Sequence, residues 1–391
     1  MPLTTSKLDI VLANASLAQY PQGGGHWAVL LQYLFGLEAL GHNVFWLELL
    51  EPTGDKARDQ KLIKAFLRRF HHYGFAARCA VLLLEGDLAV ATFDSTEAHG
   101  MDKSRIKNVI ETADLVWNLC CTLRPPMLAL FKHRALIDLD PGMLQIPALD
   151  RGYALDDHDT LLTIGSKIGE PDCPVPTLGR VWHRFLPFVH LPLWKAEPDP
   201  GERAPFTSVT QWTWDEYWHE ERLLSFSKRR AYLEYLQMPR RCGRAFELAA
   251  NIHPRDNTGD REILFNAGWR LADPNWVARS PKRYRSYLRQ SRAEFCCPKP
   301  FYKQYHTGWF SDRSVAYLAS GRPVLAEDTG FSAHLPIGHG LLCFNNMSEA
   351  VAGVQEIDGN YPHHMRSARE LAEEYLNAQK WLPSMLSACG W

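Results

Sequence analysis

Residues 306–330, HTGWFSDRSVAYLASGRPVLAEDTG, place small and polar groups directly before an apolar helical pattern, which Gly-x-Pro and a short strand then follow. The start of a helix presents backbone N–H groups without intrahelical partners, and the helix dipole makes this end positive. An imidazole, a glycine and hydroxyl groups at such a start suit a phosphate group. The stretch therefore predicts an α/β protein in which this turn binds an anion such as a diphosphate.

Capping of the helix is the alternative interpretation of this turn, because Ser and Asp are common at helix starts. Capping needs only one such residue, either Ser311 or Asp312, whereas the turn contains several polar groups. A guanidinium nearby can also donate two hydrogen bonds to a phosphate. We therefore favour ligand binding, with contacts expected at these positions: His306, Gly308, Ser311, Asp312, Arg313 and Ser314.

The loop that follows the strand, GRPVLAEDTGF (321–331), brings carboxylate and hydroxyl groups to the same place. Ligands of an open parallel sheet bind outside the carboxyl ends of its strands. Glu327, Asp328 and Thr329 follow such an end, and their oxygens suit sugar hydroxyls. A plain polar loop that turns at Gly330 is the alternative.

At 391 residues, with 46% hydrophobic and 22% charged residues, the chain is typical of a globular protein with two domains. Its formal net charge of -1 excludes a global field that would draw it to nucleic acid or to an anionic membrane. The start shows no signal-peptide pattern, and no stretch approaches the ~20 apolar residues of a membrane-spanning helix. We therefore expect a cytoplasmic protein without a transmembrane segment.

The cysteines number nine and include the adjacent pairs Cys120-Cys121 and Cys296-Cys297. No CxxC and no Cys/His spacing of a zinc site occurs. Neighbouring residues of a strand face opposite sides of the sheet, so the pairs favour buried apolar positions over disulfides. We expect reduced thiols.

Short apolar runs such as LDIVLANA (8–15) alternate with helical patterns along both halves of the chain. This alternation predicts parallel sheets that helices cover on both faces. A proline-rich stretch between about 171 and 205 interrupts it and indicates an interdomain connection. The predicted organisation has an N-terminal domain at 1–190, a linker at 191–205, a C-terminal domain at 206–370, and a C-terminal helix at 371–391 that packs back on the first domain.

A glycine-rich turn follows the first predicted strand, and its residues are Gly23, Gly24, Gly25 and His26. Glycines allow close approach of a ligand, and the following helix start attracts phosphate. The turn is not GxGxxG, and Glu48 is the nearest acidic candidate for a ribose contact. A neutral His26 could take a proton from a hydroxyl. A plain tight turn and a capping histidine are the alternatives.

Together these residues resemble the GT-B glycosyltransferases, nucleotide-sugar-dependent enzymes with two Rossmann-like domains facing across a cleft. GGGHWAVLLQYLFGLEALGHNVFWLE (23–48) is similar to the opening of their acceptor domain, where a Gly-His pair precedes the first helix. HTGWFSDRSVAYLASGRPVLAEDTGF (306–331) is similar to their donor signature. The resemblance implies an α/β fold of this type, with acceptor binding by 1–190 and donor binding by 206–370.

The resemblance also implies roles for single residues. Those it places at the donor phosphates are His306, Gly308 and Ser311, and Asp328 would meet the transferred sugar. His26 matches the catalytic base of inverting members, in which an aspartate orients the histidine. The candidates for that aspartate are Asp114, Asp138 and Asp140, of which Asp140 completes the predicted catalytic pair.

The chain departs from the family pattern at Ala316, where members commonly have a Glu that holds the ribose or supports the sugar. Ribose recognition would then fall to Asp312 or to another loop. The three consecutive glycines are also similar to retaining members, whose Gly-Gly amides bind phosphate. The stereochemical outcome stays open, and inversion is favoured.

GT-B enzymes stabilise the departing diphosphate with helix-end amides and basic side chains, so the resemblance implies no metal and no cofactor. The nucleoside diphosphate sugar is the co-substrate. Asp138-Leu-Asp140 is an Asp-x-Asp that could hold Mn²⁺, but it lies away from the donor signature. We expect it to be structural or to lie on the acceptor side.

The acceptor is open, and two segments suggest alternatives. The basic stretches 228–244 and 280–292 interleave Tyr with Arg, as nucleic-acid surfaces do, so an enzyme that modifies hydroxylated DNA bases is one alternative. The amphipathic helix 61–75 suggests a peripheral membrane contact with a lipid-linked acceptor. A sugar-nucleotide-binding protein without turnover is a third alternative.

Overall fold

The computed structural model describes residues 7–86, 91–146, 155–214, 216–219, 221–253 and 258–391. The chain divides into two compact units. The first unit comprises Met1–Ile164, Pro176–Phe185 and Trp381–Trp391, and the second unit comprises Gly165–Val175 and Leu186–Lys380. Residues 191–205 thus lie in the second unit.

The first unit contains an eight-stranded sheet. Its strands in chain order are β1 (Asp9–Asn14), β2 (Asn43–Leu50), β3 (Cys79–Leu84), β4 (Thr96–His99), β5 (Leu115–Leu119), β6 (Arg134–Asp138), β7 (Thr160–Thr163) and β8 (Trp182–Arg184). Their spatial order is β4-β3-β2-β1-β5-β6-β7-β8, and only β3 and β4 pair antiparallel. The central strands are buried apolar runs, as expected for a sheet covered on both faces.

The first unit's helices are α1 (Gly24–Ala39), α2 (Lys56–His72) and α3 (Lys103–Thr112). α2 begins where the Asp55 carboxylate accepts hydrogen bonds from two N–H groups of the first turn. Its apolar face, with Phe66 and Phe70, packs on Trp27 of α1 at ring-centre distances of 5.7 and 5.5 Å. This face therefore belongs to the core, and a membrane contact of the helix would rest on its basic residues alone.

The second unit contains a six-stranded sheet in which all neighbours are parallel. Its strands are β9 (Phe206–Gln211), β12 (Phe246–Asn251), β13 (Arg270–Leu271), β14 (Ala293–Cys296), β15 (Val324–Glu327) and β16 (Leu341–Phe344), and β10 (Glu216–His219) and β11 (Arg222–Ser225) form a separate antiparallel hairpin. The spatial order of the sheet is β13-β12-β9-β14-β15-β16.

The remaining helices follow in chain order. They are α4 (Lys228–Glu234), α5 (Met238–Cys242), α6 (Asp260–Asn266), α7 (Pro274–Val277), α8 (Pro281–Arg289), α9 (Pro300–Gln304), α10 (Asp312–Ala319), α11 (Met347–Gly359), α12 (Tyr361–Tyr375) and α13 (Ala378–Ala388). Single 3-10 turns lie at Ala76–Arg78, Leu128–Leu130, Leu155–Asp157, Leu191–Leu193 and Phe331–Ala333. Among the described residues, none of these helices combines the length and the apolar character needed to cross a bilayer.

Both sheets have the doubly wound strand order, in which the first strand lies in the middle and the order reverses beside it. The reversal falls between β1 and β5 in the first unit and between β9 and β14 in the second. Ligands of such sheets bind outside the carboxyl ends of the strands at this point. The predicted α/β class with parallel sheets is confirmed.

All nine cysteines lie in the described residues and none is bridged. Cys296 and Cys297 are buried, as predicted. The prediction was wrong for Cys120, which is exposed. Cys120 and Cys121 follow β5 in a turn, with φ of 54° and 56°, so alternation along a strand does not apply to them.

Candidate functional site

Arg313 lies in the second unit between β9 and β14, which pair over only two positions near their amino ends. Toward their carboxyl ends, the guanidinium links the two strands. Nη1 donates to the carbonyl of Val209 at 2.7 Å and Nη2 donates to Cys296 Sγ at 3.2 Å. Nε pairs with the buried carboxylate of Glu294. Each nitrogen of the guanidinium thus has a partner inside the unit, so Arg313 links the strands instead of facing a ligand.

Capping of helix α10 accounts for part of the polar stretch at the start of residues 306–330. Ser311 accepts a hydrogen bond from the backbone N–H of Arg313 at 3.2 Å and is the N-cap of the helix. Ser314 is fully buried. Asp312 is half-buried in the first turn, where a negative charge suits the positive end of the helix dipole.

Two loops at the carboxyl edge of the second unit's sheet are joined by hydrogen bonds. The N–H of Gly308 donates to the carbonyl of Thr329 at 2.9 Å, and Thr329 Oγ1 donates to the carbonyl of Trp309 at 2.6 Å. His306 is exposed and has a left-handed φ of 45°. The structure thus brings His306 and Gly308 close to Asp328 and Thr329, as the motif predicts.

Gly308 approaches a segment that the sequence motifs did not include. Ser166 Oγ donates to the carbonyl of Gly308 at 3.0 Å, and the N–H of Lys167 donates to the carbonyl of Thr307 at 3.2 Å. A Cβ at Gly308, where φ is 69°, would lie 2.2 Å from Ser166 Oγ. Only glycine fits here, because a side chain would meet both the strain and the clash.

The two carboxylates that follow β15 have different surroundings. Glu327 is buried and accepts from Tyr235 Oη at 2.9 Å and from Lys303 Nζ at 2.5 Å. Burial raises the pKa of Glu327. Asp328 is half-buried, and it accepts from the N–H of Gly330 at 2.9 Å and from Ser332 Oγ at 2.5 Å. Glu327 is thus held within the unit, whereas Asp328 reaches the surface of the loop.

Lys228 is the main basic group of this edge that sequence reasoning missed. It begins α4, and the carbonyl of Trp212, just past β9, accepts from Ser227 Oγ at 3.2 Å and from the N–H of Arg229 at 3.0 Å. Lys228 Nζ lies 5.3 Å from the centre of the Trp309 ring. Lys228 therefore lies beside the point between β9 and β14 where the strand order reverses.

The electrostatic surroundings of Lys228 are mainly positive. The pKa of Lys228 is lowered to about 8, mainly by burial and then by the charges of Arg313 and Lys299, whereas Cys296 and Glu294 oppose the shift. No carboxylate of the described residues forms an ion pair with Lys228. An ammonium held among other cations favours an anionic ligand, because such a ligand removes their repulsion.

Lys299 follows β14 on the other side of the reversal point. Its Nζ lies 5.3 Å from the ring of Tyr302 and 5.6 Å from the ring of Trp214, which is half exposed. The sequence showed Lys228 only as part of a basic stretch, 228–244. The sequence does not show that Lys228 lies next to the end of β9, because the hairpin β10–β11 separates the two along the chain.

The first unit places His26 at the carboxyl edge of its own sheet, in the first turn of α1. Gly23 is the N-cap and gives the helix no side-chain cap. The imidazole keeps a solvent-exposed face, and its ring centre lies 5.9 Å from that of Tyr20. Desolvation by surrounding protein atoms lowers the pKa of His26, and the Asp140 charge opposes this shift. A neutral imidazole near pH 7 can accept a proton.

The structure distinguishes among the aspartates considered for orienting His26. Asp114 accepts from the N–H of Asp9 at 2.8 Å, at the amino ends of β5 and β1 and so at the opposite edge of the sheet. Asp140 follows β6 at the carboxyl edge and is close enough for its charge to raise the pKa of His26. Asp140 is therefore the better placed of these two.

Asp138 supports the turn that carries Asp140. It is buried, and it accepts from Thr163 Oγ1 at 2.8 Å, from Gln145 Nε2 at 3.1 Å and from the N–H of Asp140 at 3.1 Å. Burial raises the pKa of Asp138 to about 6. Its oxygens are engaged within the unit, which favours a structural role.

Glu48 is not available for a ribose. It is completely buried and accepts from the N–H of Ala18 at 2.7 Å and from Trp46 Nε1 at 2.8 Å. Burial raises its pKa to about 8. The suggested ribose contact was wrong, because the carboxylate instead holds the loop that leads from β1 to α1.

Within the described ranges, no group of three or more His, Cys, Asp or Glu side chains is arranged to hold a metal ion. The aspartates of the Asp-x-Asp pattern differ, since Asp138 binds neighbouring side chains and Asp140 lies near His26.

Neither protein-family profiles nor curated protein sequences match this chain. Several solved structures, however, match it over most of its length. Anabaena HepE in complex with UDP and glucose has a TM-score of 0.53 and 10% identity, covering 97% of this chain and 100% of that one. An alpha-glucosyltransferase in complex with UDP and a 13-mer DNA containing a central A:G mismatch has a TM-score of 0.61 and 9% identity, covering 99% and 100%.

Sucrose-phosphate synthase from Thermosynechococcus elongatus has a TM-score of 0.52 and 10% identity, and the match covers 96% of this chain and 98% of that chain. At such identities the similarity shows the fold. The chain has the GT-B type of α/β fold, with two Rossmann-like domains.

Proposed function

We propose that this chain is a glycosyltransferase that moves a sugar from a nucleoside diphosphate sugar to an acceptor hydroxyl. The second unit binds the donor at the carboxyl edge of its sheet. The first unit provides the base that activates the acceptor. UDP is the favoured nucleotide, because two of the similar structures contain it.

The observation that carries this proposal is the position of Lys228 at the reversal point between β9 and β14. Its ammonium lies beside Trp309 and is close enough to Arg313 and Lys299 for their charges to lower its pKa. A diphosphate supplies the negative charge that this place lacks. The departing diphosphate gains charge in the transition state, so Lys228 would stabilise it more at that point than in the bound donor.

The two joined loops give the donor its remaining contacts. The exposed imidazole of His306 can donate to a phosphate oxygen, and Asp328 can accept from a sugar hydroxyl. Gly308 acts through the close approach of its backbone, because its N–H already binds Thr329. Thr329 and Ser311 hold the loops, and Glu327 holds Lys303.

His26 is the proposed base. Its imidazole removes the proton of the acceptor hydroxyl while the oxygen attacks the anomeric carbon of the sugar. The bond between that carbon and the phosphate oxygen breaks, and the diphosphate leaves. This direct displacement inverts the anomeric centre, and we propose that Lys228 takes the place of a metal at the leaving group.

A thermal-shift panel tests the donor site. UDP, TDP, GDP, CMP, ADP and their sugars are compared at equal concentration, because a ligand that binds only the native state raises the Tm. We expect UDP and a UDP-sugar to raise the Tm of the wild type and not of Lys228→Met. If no nucleotide raises the Tm, the proposed function is wrong.

The variant His26→Ala distinguishes an enzyme from a binding protein without turnover. For an enzyme, this variant keeps the thermal shift by the nucleotide and loses release of UDP from the UDP-sugar. If the wild type shifts with nucleotide but never releases UDP with any acceptor or with water, the binding-protein alternative is supported instead.

Transfer of sugar to hydroxylated DNA bases is a second candidate. It is favoured by the similar structure that contains DNA and by the basic helix α8. DNA binding that weakens steeply with salt would support it, because phosphate contacts release counterions. Absence of DNA binding at low salt would exclude it and leave the proposed sugar transfer intact.

A further inference from the structure

A cavity of about 680 Å³ lies in the second unit between the segment 192–200 and helix α8. Its floor is fixed by the buried Arg322. The guanidinium donates to the carbonyl of Pro198 at 2.7 Å, to that of Arg289 at 2.9 and 2.6 Å, and to that of Glu197 at 3.2 Å. The proline-rich segment and the end of α8 are thus tied to one point.

This cavity is separate from the donor site proposed above. Arg322 precedes β15, so the cavity lies at the amino edge of the sheet, whereas Lys228 lies at the carboxyl edge. The four residues of β15 separate the two edges by about 13 Å, at ~3.3 Å per residue.

Helix α8 presents a row of cations to the cavity. Lys282, Arg285 and Arg289 all line it, and their spacing of three and four residues puts them on one face of the helix. An adjacent face, with Tyr284 and Leu288 each about 100° around the helix from Arg285 and Arg289, is buried in the unit. The interleaved Tyr and Arg residues of this helix therefore form a core face and a cavity face.

The negative charges of the cavity are already paired. Glu197 lies 3.2 Å from Arg289 Nη1, and Asp199 lies 3.1 Å from Arg292 Nη1. Lys195 and Lys282 form no ion pair with the residues described. The buried Nε of Arg289 also has no hydrogen-bond partner in the described part of the chain. The walls thus hold an excess of positive charge and an unsatisfied donor.

We propose that this cavity binds a small polyanion, a molecule that carries two or more phosphate groups, at a site distinct from the donor site. The volume is typical of a small-molecule site. A concave wall of Lys and Arg with one unsatisfied N–H suits phosphate oxygens, which accept charge-assisted hydrogen bonds. The proposal does not depend on the proposed transferase activity.

The test uses the full-length chain and tripolyphosphate as the probe. Its Kd is measured by calorimetry for the wild type, for Lys282→Ala/Arg285→Ala and for Arg283→Ala. Arg283 is the matched control, because it lies on the same helix but its guanidinium stacks on Trp276 at 3.5 Å. We expect the double variant to weaken binding about tenfold or more, since each lost phosphate contact is worth ~1 kcal/mol or more. Arg283→Ala should stay within about twofold.

Two further arms separate this site from the donor site and from nucleic acid. Binding should persist in the presence of excess UDP and in Lys228→Met. Loss in either arm would assign the probe to the donor site and overturn the proposal. Three other results would also overturn it. These are the absence of saturable binding, an unchanged Kd in the double variant, and binding of a single-stranded oligonucleotide without binding of tripolyphosphate. Lys282→Glu, an exposed change, provides a second variant if the double variant unfolds.

Discussion

The Lys228 ammonium lies 5.3 Å from the centre of the Trp309 ring, so a half-buried cation from the start of α4 contacts the loop that precedes α10. The contact stabilises a lysine whose pKa burial has lowered to about 8. Near pH 7 the group is mostly charged. It therefore joins the two segments that flank the reversal point and supplies the charge on which the proposed donor site depends.

Arg313→Gln should reduce the free energy of unfolding by about 3 kcal/mol, because it leaves the buried Glu294 carboxylate without its cation. Urea unfolding followed by circular dichroism measures the change. Arg230→Gln is the control, since the Arg230 side chain is 54% exposed and its ion pair with Glu216 is superficial. Equal stability of Arg313→Gln and the wild type would contradict the structural role.

Gly308→Ala should destabilise the protein more than Gly243→Ala. Both glycines have left-handed backbones, with φ of 69° and 62°, so each alanine meets similar strain. A Cβ at Gly243 meets no atom within 4 Å, whereas one at Gly308 lies 2.2 Å from Ser166 Oγ. We expect about 1 kcal/mol for Gly243→Ala and a larger loss for Gly308→Ala.

A double variant tests whether the close approach to Ser166 causes the loss of stability in Gly308→Ala. Adding Ser166→Ala to Gly308→Ala removes the nearest clashing atom and should recover part of the lost stability, as a coupling between the two substitutions. Strict additivity of the two effects, or equal losses for the two glycine variants, would show that the close approach is not what requires glycine.

Glu48 should make the stability of the protein depend on pH. Its folded pKa of about 8 exceeds the ordinary 4.5, so the folded state holds this proton more tightly than the unfolded state. The contribution is fully present below about pH 4.5 and is lost as pH rises toward about 8. Urea unfolding measured from pH 6 to pH 9 should therefore show that the free energy of unfolding falls less with rising pH in Glu48→Gln than in the wild type. An identical slope would contradict the shift.

His26 should titrate below 6.5, because desolvation outweighs the Asp140 charge. NMR titration of the imidazole C–H signals, with His26→Gln to identify the signal, measures this pKa. Asp140→Asn removes the charge that raises the pKa and should lower it further. Asp114→Asn should leave it unchanged, since Asp114 lies at the other edge of the sheet. A rise of the pKa in Asp140→Asn would contradict the pairing.

The long strands and their parallel class could be predicted because each is a buried apolar run bounded by turns. The strands that the sequence did not reveal lack such runs. β8 has exposed polar residues, His183 and Arg184, β13 has only two residues, and the hairpin β10–β11 is separate from both sheets. Short strands of this kind are defined by their neighbours rather than by their own pattern.

The site was predictable only where its residues are close in sequence. Gly308 and Asp328 belong to one motif, and the structure joins their loops. Lys228 and Ser166 come from distant segments, and only the strand order brings them to this edge. The motif also could not show that Arg313 points into the sheet, because the sequence pattern of an arginine in the first turn of a helix is the same whether it binds a ligand or a buried glutamate.

Calorimetric titration of UDP into the wild type and into Lys228→Met tests the central claim most directly. We expect the wild type to bind UDP at pH 7 and to lose affinity as pH rises through about 8, where free Lys228 loses its proton. Lys228→Met should bind at least about tenfold more weakly, without this pH dependence, since one charge-assisted contact is worth ~1.5 kcal/mol or more. Arg230→Gln should bind as the wild type does. No binding of UDP by the wild type, or equal affinity in Lys228→Met, would contradict the account.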